Sequence, residues 1–430
     1  MTKEISLING QYLYLSEYNQ IINSSFKDIF LSSQNKPELE LIKQEITEET
    51  LKEEVKNIPH LIIETTQDCN LRCKYCVFND NYHHQRPFNP SRMTREIAFK
   101  GIDYIYSIIK DRKKEFNIGF YGGEPLLNFD LIKDVVAYAK NQFKGLSLSF
   151  GFTTNLTILN DHILDFLVEN DFRILVSLDG SSQNHDSKRV FKNGGGTYST
   201  IINNLEKIKT KNPDYYKDNI SFSAVHCYDL DLRDMRDFFN ENELVKDKIL
   251  NFNAMSLNDT SYNEKYPYDK QKKKVEIEQI ISELFDKLRK KIPIRGIEQT
   301  FLNAFLDKDD KLSSLFYSNT ANTCLFNSRL ILDTFGNFHV CEKVNNKFPI
   351  GDVDHGFNYK EMVRILNSFI QLIEENCSDC EIQIFCSRCF SPFANDGVFK
   401  IPENFCEERK KVIVRDLERY ITLKEEGLIQ

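Results

Sequence analysis

Short apolar runs alternate with amphipathic helix patterns from about residue 60 to residue 290, and this alternation constrains the fold of the 430-residue chain most strongly. The apolar runs have the length of strands and are LIIETT (61–66), NIGFY (117–121), SLSFGF (147–152), RILVSL (173–178), ISFSAV (220–225) and ILNFNA (249–254). A helical pattern with one apolar face follows each run. These runs are too apolar to show the alternation of apolar and polar residues that is typical of a half-exposed strand. Because a helix connects each run to the next, the pattern predicts a parallel sheet covered by helices. Six such units fit either a doubly wound sheet or an open barrel.

Composition and charge narrow the class of protein. The hydrophobic fraction of 41% is ample for the cores of about two or three domains. The formal net charge of −8 argues against nucleic acid or an anionic membrane as the main partner. The first residues lack an apolar run behind a basic end, and no stretch approaches the roughly 18 apolar residues of a membrane span. We therefore expect a cytoplasmic protein with no membrane association.

Polar and glycine-rich segments follow four of the predicted strands. They are CNLRCKYC (69–76), GGEP (122–125), TTN (153–155) and DG (179–180), after the first four strands in turn. The carboxyl ends of parallel strands meet at one edge of a sheet or one mouth of a barrel, where ligands bind. We therefore expect these segments to form a single site.

The segment CNLRCKYC carries three thiols, on Cys69, Cys73 and Cys76, with no fourth ligand nearby. A structural zinc site normally takes four protein ligands, and a ferredoxin-type cluster takes four thiolates, of which one is often distant. If a 4Fe–4S cluster forms here, one iron is therefore left open to a chelating small molecule. A cytosolic chain keeps its thiols reduced, so its 11 cysteines indicate metal chemistry rather than disulfides.

The spacing of these thiols resembles that of the radical S-adenosylmethionine (radical SAM) superfamily, with Tyr75 before the last cysteine and the loop placed after the first strand. The segment Gly122-Gly123-Glu124-Pro125 resembles the GGE motif of the same family. The resemblance covers residues ~60–410. It implies a partial (β/α)6 TIM-like barrel, a 4Fe–4S cluster on the three cysteines and SAM on the open iron. The alternative for GGEP is a plain turn with a solvated glutamate.

The resemblance also implies which residues contact SAM. The segment VSLDG (176–180) and residues 185–200 are similar to further parts of the family. Glycines let the backbone approach the cofactor, and the carboxylate of Glu124 can hold the SAM ammonium. Ser177 can reach a ribose hydroxyl or the carboxylate of SAM. Arg189 can pair with the SAM carboxylate. The predicted cofactor-binding residues are Tyr75, Gly122, Gly123, Glu124, Asn155, Ser177 and Arg189.

Seven further cysteines lie between residues 324 and 406, and their order resembles the SPASM extension, which holds two auxiliary iron–sulfur clusters. The implied ligands of one auxiliary 4Fe–4S cluster are Cys377, Cys380, Cys386 and Cys406. Those of the other, which can keep an open iron for a substrate thiolate, are Cys324, Cys341 and Cys389. The gap before Cys389 is one residue shorter than usual, which puts its role in question. Zinc is the alternative, although only five residues separate Cys380 from Cys386.

Two residues are candidates for chemistry on the substrate. Glu342 directly follows Cys341, where sulfatase-maturating relatives carry an acidic base, and the alternative is an exposed surface glutamate. Cys227 stands alone near the end of the fifth strand. A packed thiol is the favoured interpretation, and a hydrogen-atom donor or an extra cluster ligand is the alternative. Under the favoured interpretation, Cys227→Ala leaves activity intact.

The first 58 residues differ from the rest of the chain. ISLI-NG-QYLYL predicts a hairpin whose Asn9-Gly10 suits a tight type I′ turn, and a charged helix pattern follows over 38–58. This segment either docks a leader peptide at a strand edge or packs on the barrel. We predict an N-terminal segment (1–58), a partial barrel (59–290), a helical bridge (291–323), a loop-rich SPASM domain (324–410) that folds only with its metals, and a C-terminal helix (411–430).

These resemblances imply a peptide maturase that abstracts a hydrogen atom from a ribosomally made precursor and forms a cross-link, with a cysteine thioether as the favoured bond. Its partners would be a precursor peptide, with a leader and a cysteine-bearing core, and an electron donor such as flavodoxin or ferredoxin. The first alternative is an anaerobic sulfatase-maturating enzyme, which usually lacks so long an N-terminal segment and has an additional cysteine after the first SPASM one. The second is a non-catalytic iron–sulfur electron carrier.

Overall fold

The structure is a computed structural model that describes residues 3–33, 40–82, 86–112, 114–256, 260–314, 316–318, 320, 323–324, 326, 328–342, 347–386 and 388–429. Its strands, numbered along the chain, are β1 (Glu4–Leu7), β2 (Tyr12–Leu15), β3 (Gln20–Asn23), β4 (Glu40–Ile42), β5 (His60–Thr66), β6 (Phe116–Gly122), β7 (Leu148–Thr154), β8 (Arg173–Ser177), β9 (Ile220–His226), β10 (Leu250–Ala254), β11 (Phe316–Ser318), β12 (Leu330–Leu332), β13 (Asn337–His339), β14 (Pro349–Asp352), β15 (Gly356–Phe357), β16 (Ala394–Asn395) and β17 (Val398–Phe399).

The helices are numbered in the same way. They are α1 (Lys27–Ser32), α2 (Glu48–Glu54), α3 (Arg95–Ile109), α4 (Phe129–Gln142), α5 (Asp161–Glu169), α6 (Ser182–Lys188), α7 (Tyr198–Lys211), α8 (Pro213–Asn219), α9 (Leu232–Glu241), α10 (Tyr262–Lys265), α11 (Lys270–Arg289), α12 (Gly296–Ser313), α13 (Tyr359–Cys377), α14 (Phe390–Phe393) and α15 (Phe405–Glu425). No helix in the described ranges is both long enough and apolar enough to cross a bilayer.

One large sheet organises the chain, with the strand order β10-β9-β8-β7-β6-β5-β12-β13-β14-β15. Strands β5 to β10 are all parallel and each lies beside the next in sequence. A doubly wound sheet would reverse its order partway, whereas this sequential order is that of a (β/α) barrel. Among the described strands β10 pairs only with β9, so the barrel is partial. The six predicted strands and the partial barrel are confirmed.

Buried and less buried side chains alternate on several of the parallel strands, most clearly on β7 and β9, contrary to the expectation of uniformly apolar strands. Outward-facing residues such as Phe120 and Phe150 are buried against the helices. Their inward-facing neighbours, such as Tyr121 and Ser149, are only partly buried. The inner face is polar because an open barrel keeps a lumen that water and ligands can enter.

The N-terminal hairpin exists but its turn was predicted wrongly. Leu7 pairs with Tyr12, so the loop contains four residues rather than the two of a type I′ turn. Ile8, Asn9 and Gly10 adopt successive positive φ angles of 48°, 53° and 88°. Strand β3 extends the hairpin into a three-stranded antiparallel sheet.

This N-terminal sheet packs against the C-terminal part of the chain. Leu7 and Tyr14 share a core with Phe385 and with Leu417 of α15. The Asn19 amide donates to three carbonyl oxygens at the end of α12, at 2.6, 3.2 and 2.8 Å. The predicted helix over 38–58 is only α2, because Thr47 caps it at Glu48 and β4 pairs instead with β11.

The region after residue 324 contains one long helix that the prediction of a loop-rich domain did not include. Helix α13 has 19 residues and buries the apolar face Met362, Ile365, Leu366, Phe369, Ile370 and Ile373. Strand β12 joins the main sheet in parallel beside β5, and β13 to β15 continue that sheet in antiparallel fashion. Helix α15 begins at Phe405 and therefore crosses the predicted boundary at residue 410.

Candidate functional site

The glycine-rich loop after β6 holds the cysteine loop after β5 in place. The backbone N–H of Gly123 donates to the carbonyl of Thr66 at 2.9 Å, and that of Glu124 donates to the carbonyl of Asp68 at 3.0 Å. A Cβ on Gly123 would lie 1.9 Å from the Asp68 oxygen, and Gly122 has a φ of +135°. Glycine is required at both positions by the approach of these two backbones.

The carboxylate of Glu124 is engaged by the protein itself. Oε1 accepts from Leu126 N at 3.1 Å and from Thr154 Oγ1 at 2.7 Å, and Oε2 accepts from Asn155 N at 2.8 Å. Burial raises the pKa of Glu124 to about 7, and the hydrogen bonds that it accepts oppose this rise. Glu124 thus ties the loop after β6 to the loop after β7, and its predicted contact with the SAM ammonium stays a prediction.

The three thiols of the cysteine loop are enclosed beside these loops. Cys69 and Cys73 are each 8% exposed. The backbone N–H of Leu71 and the amide of Asn155 donate to Cys69 Sγ at 3.4 and 3.9 Å. Burial raises the pKa of Cys69 and of Cys73 to about 12, and it also raises that of Cys76. These thiols ionise only with a compensating positive charge, which bound iron supplies.

The donor set fits a polynuclear cluster better than one metal ion. Within the described ranges, no three cysteine, histidine or acidic side chains converge closely enough to hold a single ion. In a 4Fe–4S cluster each thiolate binds a different iron, so the thiols need not converge on one point. The loop residues Cys69, Cys73 and Cys76 would be the three protein ligands.

Asp179, which sequence reasoning did not single out, organises the wall behind the thiols. Its fully buried carboxylate accepts from Tyr75 Oη at 2.5 Å, from Arg189 Nε at 2.7 Å and from Val225 N at 3.0 Å. Arg189 Nη1 points to Cys73 Sγ at 3.9 Å. The predicted residues Tyr75 and Arg189 therefore lie together, positioned by Asp179.

Ser177 and Asn155 end two neighbouring strands at the same mouth. Ser177 is 8% exposed and faces the lumen in register with Ser223 of β9. The Asn155 side chain bridges Asn70 and Thr157 as well as facing Cys69. Both predicted cofactor residues thus border the thiol loop.

Arg86 and Glu64 form a second arrangement that the sequence reasoning missed. The Arg86 guanidinium pairs with Glu64 and lies 3.9 Å from the centre of the Phe78 ring. The other Glu64 oxygen accepts from Gln67 Nε2 at 2.8 Å and from Thr334 N at 3.3 Å. A carboxylate in the apolar run LIIETT was the available signal, since a buried charge needs a partner.

A second group of thiols lies at the opposite end of the lumen. Strand β12 is parallel to β5 and β13 is antiparallel to it, so Cys341, just after β13, lies near the amino end of β5. Strand β5 has seven residues, which places the two thiol groups about 20 Å apart. Tyr121 on β6 interacts electrostatically with Cys76 of the first group and with Cys341 of the second.

Glu342 is positioned within this second group. Cys341 Sγ lies 3.2 Å from its Oε2, and Arg329 Nη1 lies 3.4 Å from its Oε1. Arg329 also interacts electrostatically with the thiol of Cys324. The Glu342 side chain is 8% exposed, which excludes the alternative of an exposed surface glutamate.

The C-terminal cysteines gather between α13 and α15. Cys406, near the start of α15, interacts electrostatically with Cys377, Cys380 and Cys386, and burial raises its pKa. The four cysteines predicted for one auxiliary cluster therefore lie in the same region, and their role as its ligands stays a prediction. Cys389 is exposed and precedes α14.

Cys227 is a packed thiol in this structure. It is fully buried and contacts Tyr75, Met255 and Tyr262. Burial raises its pKa to about 12. These contacts favour the interpretation as a core cysteine, although it lies directly behind the cysteine loop.

The fold and the site together define a partial-barrel enzyme with a three-thiol cluster loop at its mouth. Residues 63–222 match the model of the radical SAM superfamily. This part of the chain therefore carries a radical SAM domain. A domain of this family implies S-adenosylmethionine and a 4Fe–4S cluster as cofactors.

Curated relatives differ in how much of the chain they match. The radical SAM cyclopropyl synthase TigE of Paramaledivibacter caminithermalis is 29% identical over 57% of this chain. A cysteine-type anaerobic sulfatase-maturating enzyme of Clostridium novyi is 22% identical over 85% of this chain and 96% of its own length. The chain spans about half the length of TigE, 50%, and 51% of another curated relative.

Solved structures support the fold. Native anSMEcpe with bound AdoMet has a TM-score of 0.64 at 19% sequence identity, covering 85% of this chain and 98% of that chain. Since the identity is low, this similarity establishes the fold alone.

Proposed function

We propose that this chain is a peptide maturase that abstracts a hydrogen atom from a ribosomally made precursor peptide and forms a cross-link. The bond we favour is a thioether from a cysteine sulfur to a carbon. A structure of anSMEcpe with a bound peptide supports a peptide as the substrate class. The relatives named above act, by their names, as a cyclopropyl synthase and a sulfatase-maturating enzyme.

The cofactor residues of this proposal are those of the mouth. Cys69, Cys73 and Cys76 would hold the 4Fe–4S cluster, which when bound supplies the electron that splits SAM and so provides a 5′-deoxyadenosyl radical. Asp179 fixes Arg189 beside the thiol loop, and the enclosed walls of the mouth exclude water that would quench the radical.

The observation that carries the proposal is that thiols lie beyond both ends of β5, with the loop of Cys69 after its carboxyl end and Cys341 near its amino end. Cross-linking removes two hydrogens from the peptide. One leaves the carbon as a hydrogen atom taken by the SAM-derived radical, and the other leaves the cysteine thiol as a proton, together with one electron, as the carbon–sulfur bond forms. Glu342, which contacts Cys341, would take the proton, and an auxiliary cluster on Cys324, Cys341 and Cys389 would take the electron.

The N-terminal sheet supports recognition of a leader peptide. In the described part of the chain, the outer edge of β3 pairs with no other strand, so an extended peptide could add to it. The exposed side chains Phe26 and Ile29 follow this strand, 59% and 67% exposed, and offer apolar contacts. Flavodoxin or ferredoxin remains the proposed electron donor.

Formylglycine formation is the alternative that the comparisons support equally. It also removes two hydrogens, from an active-site cysteine or serine, and the Clostridium novyi relative matches 85% of this chain. The N-terminal sheet and the absence of a cysteine between Cys324 and Cys341 favour cross-linking. The match of residues 63–222 to the radical SAM model argues against a non-catalytic electron carrier.

The experiment uses the reconstituted, reduced protein with SAM and a panel of peptides. We expect 5′-deoxyadenosine from the natural chain and none from the variant C69A/C73A/C76A, measured by liquid chromatography with mass detection. A cysteine-bearing precursor peptide should lose two hydrogens and its free thiol. A sulfatase-derived peptide that instead gains an aldehyde would support the alternative, and a natural chain that does not cleave SAM would refute both.

A further inference from the structure

Arg388 is a buried arginine in the C-terminal cysteine group, between Cys386 and Cys389. The residue is 6% exposed, and its Nη2 donates to the carbonyl oxygen of Gln383 at 3.1 Å. Its Nε is enclosed and has no hydrogen-bond acceptor among the described residues. Burying a donor without an acceptor costs free energy, so such a group normally receives its acceptor from a bound ion or ligand.

The charge of Arg388 also lacks a conventional partner. Three arginines are classed as buried in the described part of the chain, and two of them pair with carboxylates, Arg189 with Asp179 and Arg236 with Glu283. No such ion pair forms at Arg388 within the described ranges. Arg388 lies between Cys386 and Cys389 in sequence, and it interacts electrostatically with Cys406.

We propose that Arg388 donates its Nε–H to the auxiliary cluster held by Cys377, Cys380, Cys386 and Cys406 and raises the reduction potential of that cluster. One-electron reduction adds a negative charge to the cluster and no proton. A fixed positive charge and an N–H donor at a cluster sulfur both stabilise the reduced form. This inference rests on the proposed function in so far as it requires the auxiliary cluster.

Two substitutions separate the charge of Arg388 from its hydrogen bond. R388M removes both, whereas R388K keeps the charge and loses the planar fork with its Nε–H. The matched control is R364M on α13, because Arg364 is an exposed arginine paired with Glu361 one turn away. All are made in the full-length variant C69A/C73A/C76A, so that only auxiliary clusters contribute to the signal.

The measurement is a redox titration of the reconstituted protein with dithionite, followed by electron paramagnetic resonance. The reference is the C69A/C73A/C76A protein with Arg388 unchanged, at the potential where its auxiliary cluster is half reduced. At that potential the ratio of reduced to oxidised cluster in R388M should be about tenfold lower, which is equivalent to a midpoint lower by about 59 mV. R388K should show a smaller decrease and R364M none. Equal midpoints for R388M and R364M would overturn the inference.

Iron analysis keeps the two proposals distinguishable. If the triple-cysteine background binds no iron, the auxiliary clusters are absent, and the proposed two-site function fails with them. If it binds iron and R388M does not shift the midpoint, only the inference about Arg388 fails. If R388M retains no iron, the comparison is made with R388K instead. A midpoint potential of R388K below that of R364M supports the inference, and an equal midpoint potential refutes it.

Discussion

Two backbone segments meet at Gly123 with no room for a side chain between them. A Cβ there would lie 1.9 Å from the carbonyl oxygen of Asp68 and 2.9 Å from the nitrogen of Cys69. Both are main-chain atoms of the cysteine loop, so neither can rotate away as the end of a side chain could. Gly123 therefore fixes where the first thiol lies relative to β6.

The substitution Gly123→Ala should displace the cysteine loop. Overpacking of this kind costs about 1–3 kcal/mol of unfolding free energy, and the site should lose its iron after reconstitution. Gly195→Ala is the control, because the nearest atom to its Cβ is the movable Asn193 Oδ1 at 3.3 Å. Urea denaturation and iron analysis measure the two effects. Equal iron content in both variants would contradict the prediction.

Single residues of the site were predictable where their spacing along the chain is short. The three cysteines and the GGE segment were found because each forms a compact motif. The DG segment was predicted to lie at the site, but the role of Asp179 was missed because its partner Tyr75 lies 104 positions away in sequence. Contacts at such separation arise from strand order, which a single sequence does not reveal.

Helix α13 shows how one element stabilises the C-terminal cysteines. Phe369 is fully buried and its ring contacts those of Phe390, Phe393 and Phe399, with centroids 4.6, 6.1 and 5.2 Å away. The helix ends at Cys377, the first thiol of the C-terminal group. An apolar core, rather than metal alone, therefore holds this region.

Phe369→Ala should lower the free energy of unfolding by about 3–5 kcal/mol, because it opens a cavity in that core. The loss should occur with and without iron, measured by urea denaturation of both forms. Phe335→Ala, at a position that is 61% exposed, should change stability by less than about 0.5 kcal/mol. A destabilisation confined to the iron-loaded form would instead indicate a region ordered by metal.

The local pattern of apolar residues predicted most strands and helices of the barrel, but it did not predict how the strands pair in the sheet. The six parallel strands were found because each is a short run of strand-forming residues between helix patterns. The choice between a doubly wound sheet and a barrel depends on which strands pair, and periodicity carries no such information. Helix α13 was available from its apolar spacing at 362, 365, 366, 369 and 370, but the cysteines around it drew the prediction towards loops.

At the scale of the whole molecule, the N-terminal sheet is not an independent module. Its residues Ile5, Leu7 and Tyr14 form one core with residues of the C-terminal cysteine region and of α15. Cys380 and Cys386 also pack against this shared core, so the N-terminal sheet is structurally continuous with the C-terminal thiols.

Leu7→Ala should destabilise this shared core by about 2–5 kcal/mol. Hydrogen–deuterium exchange should then increase at residues 380–421, far along the chain from the substitution. Ile29→Ala, in the same segment but 67% exposed, is the control and should leave that exchange unchanged. If Leu7→Ala increased exchange only within residues 1–58, the N-terminal sheet would be a separate unit.

Among the described strands, β10 has no strand partner on its outer edge, so hydrogen bonds do not close the ring of strands. A fully closed ring of strands can admit a polymer only by threading its tip through the middle. A sheet with a gap lets a strand of polymer be laid in sideways, with both flanks remaining outside. For a substrate whose reactive residue lies far from either terminus, this incomplete closure removes the need to thread.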